Sequence, residues 1–217
     1  VFDKISSNGP FSEADAANVV RQVTLGLAFI HEAGVVHRDL KPENVMIRRD
    51  GAVKLMDFGI ARFLDDAQLT MTGALVGSPA YMSPEQAMEK VLDPRSDLFS
   101  LGTLLFHLLT GELPFSGSNP SIILRNIIEG ARAEILSLTP SACGTLSEVI
   151  DQLLQTNPDD RQQSAEEVEV QLRAALETMG LEVGQSPWDI RDWMDDPSGF
   201  QIRHSEWLAA TLLPRGR

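Results

Sequence analysis

A polar block of eight residues, HRDLKPEN at residues 37–44, constrains the fold more than any other feature of the sequence. Before it, apolar residues with a spacing of three or four predict a helix over about residues 12–31. Ser12 with Asp15 is typical of a helix start, and Gly34 stands where a left-handed residue ends many helices. The block therefore follows a long helix, which should hold it in a defined place.

Short apolar runs at residues 45–47 and 53–55 flank an Asp-Gly pair, a pattern that predicts a β-hairpin directly after the polar block. Residues 60–95 contain several glycines and prolines and no sustained period, which predicts a long loop. Long loops inside compact domains are usually functional. Four further helices are predicted, at about residues 96–110, 119–129, 144–155 and 164–177.

Charge and cysteine content exclude several classes of function. The chain has 217 residues with 31 acidic and 18 basic side chains, so its formal net charge is -13. A nucleic-acid-binding surface needs an excess of lysine and arginine, and this balance is evidence against one. Cys143 is the only cysteine, which excludes an intrachain disulfide and favours a reducing compartment, so we expect a cytoplasmic location. The longest apolar stretch, Leu101–Leu109, is too short to span a membrane.

Further short motifs follow the polar block: DFG at residues 57–59, GSPAY at 77–81 and SPE at 83–85. Together with the block they resemble the signature set of eukaryotic-type protein kinases, and their details are most similar to bacterial serine/threonine kinases. One such tripeptide arises easily by chance, whereas four signals in the family order do not. The resemblance covers residues 1–178 and implies the C-terminal lobe of the catalytic domain. We therefore expect a mainly α fold, a helical body with a catalytic β-hairpin and a long activation segment.

Phosphoryl transfer requires a protein mainly to position groups and to compensate charge, which explains the residue types in these motifs. The resemblance implies that Asp39 is the base that accepts or orients the proton of the attacking hydroxyl. It also implies that Lys41 contacts the γ-phosphate. Asn44 and Asp57 are implied to bind Mg²⁺, or Mn²⁺, since these cations prefer hard oxygen ligands. Because Lys41 is typical of serine/threonine kinases, we expect transfer of the γ-phosphoryl group of ATP to serine or threonine hydroxyls of proteins.

The resemblance further implies which residues contact ATP and which respond to phosphorylation. Met46, in the first strand of the hairpin, would form part of the floor beneath adenine. Arg38, counted with the catalytic residues, would grip a phosphate on the long loop through charge-assisted hydrogen bonds, and Thr70 and Thr72 are the candidates to carry it. The implied ATP-binding set is Lys41, Glu43, Asn44, Met46 and Asp57.

Other motif residues are implied to shape the site. Glu85 and Arg161 would form a buried ion pair, and Asp97, which would open the next helix, would hold the backbone at the start of the polar block. His37 is expected to pack beside Phe58. A substrate shelf is implied at Gly77, Ser78 and Pro79, and structural roles are implied at His37, Phe58, Gly59, Glu85, Asp97 and Arg161.

The sequence contains no Gly-rich phosphate loop and no strand lysine with its helix glutamate, which in the family precede the matched region. We therefore interpret the chain as a piece of a longer protein, with the N-terminal lobe absent from it. Residues 179–217 lie beyond the resemblance and contain all three tryptophans, and we expect a helical extension or a linker there. Expected partners are protein substrates, ATP and the N-terminal lobe of the full-length protein, with no nucleic acid and no membrane segment.

Two other functions are compatible with parts of this sequence. The chain could be a kinase-like lobe that binds partners as a scaffold without catalysis; the intact catalytic set argues against this, and the missing N-terminal lobe argues for it. A small-molecule phosphotransferase of related fold is disfavoured because residues 60–85 resemble the activation segment of protein kinases.

Overall fold

The computed structural model describes residues 1, 10–48, 51–57, 79–135 and 144–180. In this part of the chain, the structure is mainly helical with one two-stranded sheet, as the sequence predicted. Single turns of 3₁₀ helix lie at Pro42–Asn44, Pro79–Tyr81 and Pro158–Asp160. The main elements are α1 (Glu13–Glu32), β1 (Val45–Ile47), β2 (Val53–Leu55), α2 (Pro84–Ala87), α3 (Pro94–Thr110), α4 (Pro120–Glu129), α5 (Gly144–Leu153) and α6 (Ala165–Thr178).

Helix α1 begins and ends where its sequence signals predicted. The Ser12 hydroxyl oxygen accepts a hydrogen bond from the backbone N–H of Asp15 at 3.1 Å, and the Asp15 carboxylate accepts from the Ser12 hydroxyl at 2.7 Å. These bonds satisfy groups that a helix start would otherwise leave unpaired. Gly34 follows the helix with φ at 74°, a conformation that glycine adopts at little cost.

The hairpin forms at the predicted residues and packs directly on α1. Its antiparallel strands pair Val45 with Leu55. The side chain of Gln22 on α1 accepts from the Val53 N–H at 3.1 Å. Gly26 lies one turn further along α1, and a Cβ there would approach the Leu55 side chain to 3.1 Å, so the missing side chain allows close packing. Helix and hairpin therefore hold the polar block from both ends.

Helix α3 is the centre of the hydrophobic core, and nearly every one of its residues is buried. It packs against α1 and α5, while α6 packs along α1. Gly102 allows α3 and α5 to pack closely, since a Cβ there would lie 2.6 Å from Leu153 Cβ. No helix in the described ranges is both long and apolar enough to cross a membrane.

The structure corrects two predicted boundaries. The loop predicted over residues 60–95 contains a 3₁₀ turn and helix α2, whose start is a capping box between Ser83 and Gln86. Helix α3 begins at Pro94, with the Asp93 side chain as its N-cap, so Asp97 lies inside the first turn and does not open the helix. The remaining predicted helices agree with the structure to within a few residues.

Candidate active site

Two polar side chains of the block, Lys41 and Asn44, converge on the carboxylate of Asp39. Lys41 Nζ donates to Asp39 Oδ2 at 2.8 Å, and Asn44 Nδ2 donates to the same oxygen at 3.0 Å and to the Asp39 carbonyl at 2.8 Å. The 3₁₀ turn at Pro42–Asn44 makes this possible, because it turns the chain back so that Asn44 reaches Asp39. The side chains of Asp39 and Lys41 are 22% and 20% exposed, so the pair is oriented yet accessible.

Asn44 and Asp57 come together at the open end of the hairpin. The Met56 N–H donates to the Asn44 carbonyl at 2.8 Å, and Asp57 is the next residue. Because the amide nitrogen of Asn44 faces Asp39, its oxygen Oδ1 points the other way and can serve as a ligand. Asp57 is exposed and has φ at 48°, a strained conformation for a residue with a side chain.

These two oxygen donors fit a magnesium site of a particular kind. Among the described residues, no three histidine, cysteine, aspartate or glutamate side chains are close enough to hold a metal by themselves. Mg²⁺ is commonly bound by one or two protein oxygens, with phosphates and waters completing its shell. Asn44 and Asp57 match that donor set, and the hairpin holds them in register.

Asp97 fixes the backbone at the start of the block. Its oxygen Oδ2 accepts from the His37 N–H at 2.7 Å, and Oδ1 accepts from the Arg38 N–H at 2.8 Å, the contact expected for this residue. Asp97 is fully buried, so these bonds also compensate the cost of burying its charge. Arg38 has φ at 68°, a conformation uncommon for a residue other than glycine, and Asp97 helps to maintain it.

Sequence reasoning missed His31, whose Nε2 lies 2.8 Å from Asp97 Oδ2. The two residues are 66 positions apart, and no local pattern marks the pair. His31 is the basic residue in the last turn of α1, so its bond ties the end of that helix to the first turn of α3. The block therefore lies between two helices that are themselves joined at this point.

His37 connects the block with the hairpin. Its side chain is fully buried, Nδ1 accepts from the Asp39 N–H at 3.3 Å, and Nε2 lies 3.1 Å from the Met56 carbonyl. Since Nδ1 accepts, Nε2 carries the proton and donates it to that carbonyl. The predicted neighbour Phe58 lies outside the described residues, so the packing of His37 against it stays a prediction.

The predicted contact between Glu85 and Arg161 is present, and it joins α2 to the chain between α5 and α6. Two parallel hydrogen bonds of 2.7 and 2.8 Å join the guanidinium to the carboxylate, and the Arg161 side chain is fully buried. Burial alone would raise the pKa of Glu85, but the hydrogen bonds and charge of Arg161, with the Ser96 hydroxyl, hold that pKa below its usual range. The guanidinium also lies 4.9 Å from the ring centroid of Phe99.

A second polar pair was not predicted. The Tyr81 hydroxyl is hydrogen-bonded to His107 Nδ1 on α3. Burial raises the pKa of Tyr81, and the negative charge of Glu43 raises it further. Burial lowers the pKa of His107, against the opposing charges of Glu43 and Glu112. The pair is therefore neutral at pH 7, with the tyrosine donating, and it holds the 3₁₀ turn at Pro79–Tyr81 on α3.

Other predicted site residues are placed only in part. Met46 is half-exposed on the hairpin, and Glu43 is exposed at its start, both open to a ligand. Pro79 begins the 3₁₀ turn before Tyr81. The residues that lie outside the described part of the chain, and whose roles stay predictions, are Phe58, Gly59, Thr70, Thr72, Gly77 and Ser78.

Comparison with known proteins gives consistent matches. Residues 1–171 match the family model described as protein kinase domain. The chain is 39% identical over 176 residues to a probable serine/threonine-protein kinase of Corynebacterium efficiens, covering 78% of this chain and 27% of that protein. It is 40% identical over 178 residues to the serine/threonine-protein kinase PknB of Mycobacterium tuberculosis, covering 78% of this chain and 28% of that protein. The chain thus spans little more than a quarter of the length of these relatives.

A solved structure is also similar. The crystal structure of Rad53, residues 1–466, in complex with AMP-PNP matches with a TM-score of 0.66 and 30% sequence identity. The match covers 78% of this chain and 42% of that one.

Proposed function

The chain belongs to the protein kinase domain family, and on that premise we propose that it forms part of a serine/threonine protein kinase. In the full-length protein it would transfer the γ-phosphoryl group of ATP to serine or threonine hydroxyls of protein substrates. The observation that carries this proposal is the convergence of Lys41 Nζ and Asn44 Nδ2 on one oxygen of Asp39. Relatives about 40% identical over most of the chain are named as serine/threonine-protein kinases, which supports it.

Asp39 acts as the base in this proposal. Lys41 and Asn44 fix the orientation of its carboxylate, so it can accept or orient the proton of an attacking hydroxyl without first reorganising. Lys41, held 2.8 Å from Asp39, brings a positive charge to the place where negative charge develops on the transferring oxygens. Its side chain is oriented by the same carboxylate that receives the proton, so both groups meet the substrate together.

The nucleotide would occupy the side of the block that faces the hairpin. Asn44 Oδ1 and the Asp57 carboxylate would hold Mg²⁺, or Mn²⁺, which when bound supplies charge compensation for the phosphates. Met46 would contact adenine, and Glu43 and Lys41 would complete the ATP-binding set. The similar Rad53 structure is a complex with AMP-PNP, which supports nucleotide binding by a fold of this kind.

Regulation and substrate binding would involve the segment between the hairpin and α2. Arg38 would bind a phosphate carried by Thr70 or Thr72. Gly77, Ser78 and Pro79 would form the shelf that receives the substrate chain. Pro79 supports this assignment, because the turn that it begins is held on α3 by the Tyr81–His107 bond.

We assign residues 1–178 to the C-terminal lobe of the kinase domain and residues 179–217 to an extension or linker of a cytoplasmic protein. Support comes from apolar side chains that the lobe leaves uncovered. Phe29 is 76% exposed and Leu25 is 49% exposed, and their spacing puts them on the side of α1 that carries Gln22, which contacts the hairpin. An N-terminal lobe seated beside the hairpin would cover such a surface.

The test is phosphoryl transfer by the full-length protein in which this chain occurs. With ATP labelled at the γ-phosphate, magnesium and a serine- and threonine-containing protein substrate, we expect label on the substrate and loss of it in Asp57→Asn. Asp151→Asn on α5, which alters a partly exposed ion pair with Arg132, is the matched control and should keep the activity. A non-catalytic scaffold would give no transfer from the wild-type protein, and this result would refute the proposal.

A further inference from the structure

We propose that Gln86 is a positioning residue for the transfer reaction, because it holds the carbonyl of Arg38 and thereby the direction of Asp39. Neither the motifs nor the comparisons assign a role to Gln86. The catalytic part of this inference rests on the proposed function, whereas the coupling between Gln86 and the block rests on the contacts alone.

Gln86 uses the two ends of its side-chain amide for different partners. Oε1 accepts from the Ser83 N–H at 2.9 Å, which completes the capping box of α2. Nε2 donates to the Arg38 carbonyl at 2.8 Å, across 48 positions of sequence. One side chain therefore fixes the start of a helix and reaches into the polar block.

The bond from Gln86 to the Arg38 carbonyl acts on the peptide unit that leads into Asp39. The carbonyl of Arg38 and the N–H of Asp39 belong to one planar peptide unit. Gln86 binds the oxygen of this unit, while His37 Nδ1 accepts from its N–H at 3.3 Å. With both ends bound, the peptide plane is restrained against rotation, and the plane sets the direction in which the Asp39 side chain leaves the backbone.

The conformation of Arg38 needs this support. Its φ of 68° is costly for a residue with a Cβ and persists only where the surroundings impose it. Asp97 holds the N–H of Arg38 from α3, and Gln86 holds the carbonyl from α2. Helices α2 and α3 thus each hold one backbone group of Arg38 by a hydrogen bond.

Helix α2 can hold Gln86 in a fixed position because the helix is itself attached to the core. Glu85, the neighbour of Gln86, is tied to Arg161 by two hydrogen bonds in the core. The 3₁₀ turn at Pro79–Tyr81 directly precedes this helix. The position of the chain segment that follows the proposed substrate shelf therefore affects the orientation of Asp39, because Gln86 connects the two.

The decisive variant is Gln86→Glu in the full-length protein. The carboxylate still accepts from the Ser83 N–H, but it brings an oxygen against the Arg38 carbonyl where a donor is needed. We expect kcat to fall roughly 10- to 100-fold, the scale for a misplaced catalytic group, while the KM for ATP stays within about threefold. Gln86→Met, of similar length and without polar atoms, should also lower kcat and serves if Gln86→Glu folds poorly.

Ser83→Ala is the matched control. It removes the hydroxyl that accepts from the Gln86 N–H at 3.3 Å, so it weakens the cap of α2 but leaves the Gln86–Arg38 bond in place. We expect a lower melting temperature with kcat within about twofold of wild type. If Ser83→Ala lowers kcat as much as Gln86→Glu does, the effect belongs to the helix cap and the proposal fails.

Hydrogen exchange separates this inference from the proposed function. In Gln86→Glu, the amides of residues 37–41 should exchange faster than in wild type and in Ser83→Ala, whether or not the protein is active. Unchanged exchange would refute the coupling even in an active enzyme. Faster exchange with unchanged kcat would refute the positioning role, and a wild-type protein without transfer would refute the proposed function and with it that role.

Discussion

Arg161 and Glu85, 76 positions apart in the sequence, are joined by two parallel hydrogen bonds of 2.7 and 2.8 Å in the core. The Arg161 guanidinium also donates to the carbonyls of Gln155, Arg95 and Thr156. The pair therefore ties α2, which carries Gln86, to the chain between α5 and α6 and to the first turn of α3.

Arg161→Met should destabilise the protein by about 3–5 kcal/mol, because it leaves the Glu85 charge buried without a partner. The measurement is the free energy of unfolding from urea denaturation. Arg173→Met is the control: its ion pair with Glu169 spans one turn of α6 with the arginine about half exposed, so the loss should be about 0.5 kcal/mol or less. A similar loss of stability in both variants would show that the buried pair of Glu85 and Arg161 contributes no more to the free energy of unfolding than an exposed one.

The same pair predicts how stability depends on pH. The pKa of Glu85 is lower in the folded than in the unfolded protein, so its contribution is present above the unfolded pKa and is lost as the pH falls through the folded pKa. Wild type should therefore lose stability as the pH falls below about 4.5, the usual pKa of glutamate. Glu85→Gln should start from a lower stability and lose less over this range, as measured by unfolding at each pH. An equally steep loss in Glu85→Gln would assign the acid sensitivity to other carboxylates.

Asp39→Asn should lower kcat roughly 10²- to 10⁴-fold in the full-length protein, the usual scale for a positioned general base. Its ATP affinity should change much less, since Asn44 and Asp57 are untouched. Steady-state kinetics and nucleotide titration measure the two effects separately. Transfer at the wild-type rate in Asp39→Asn would remove Asp39 from the mechanism.

Thr70 and Thr72 should carry phosphate in the active full-length protein, detectable by mass spectrometry of its peptides. The double variant Thr70→Ala with Thr72→Ala should be slower, because Arg38 loses the phosphate that it is expected to bind. Thr178→Ala, at the exposed end of α6, is the control and should keep the wild-type rate. Equal rates in the double variant and in wild type would show that Arg38 does not respond to a loop phosphate.

The isolated chain, residues 1–217, should show no measurable transfer and should bind ATP with magnesium weakly. On the proposed assignment it would supply two metal ligands and part of an adenine surface, whereas transfer needs the phosphates held from both sides. It should also self-associate, because Phe29 and Leu25 are exposed. Sedimentation of the chain and of Phe29→Gln measures this: the variant should be more monomeric. Robust transfer by the isolated chain would contradict the assignment of a partial kinase domain.

Local sequence signals predicted the local structure well. The two strands of the hairpin were predicted to the residue, because short apolar runs on either side of an Asp-Gly pair are a short-range pattern. Helix α2 was missed because four residues cannot show an apolar period, although Ser83, Pro84 and Gln86 formed a visible cap signal. For this short helix, the N-cap residues therefore carry the sequence signal and the apolar periodicity does not.

Contacts between distant residues could be predicted only where a family motif named both partners. Asp97 with the block, and Glu85 with Arg161, were expected on that basis. His31 with Asp97 and Tyr81 with His107 were not, because each pair joins elements far apart in the sequence. The left-handed conformation of Arg38 was equally invisible, since it is imposed by tertiary hydrogen bonds against the preference of the residue.

The position of Asp97, 60 residues after His37, has a consequence for biosynthesis. A growing chain that ends before α3 contains the whole polar block but lacks the carboxylate that holds it. The strained backbone of Arg38 then lacks one of its two supports: Gln86 has been synthesised and can reach the Arg38 carbonyl, but Asp97, which holds the Arg38 N–H, has not. The residues proposed for catalysis are thus synthesised early and organised late, so truncated products of translation would carry the motif without its geometry.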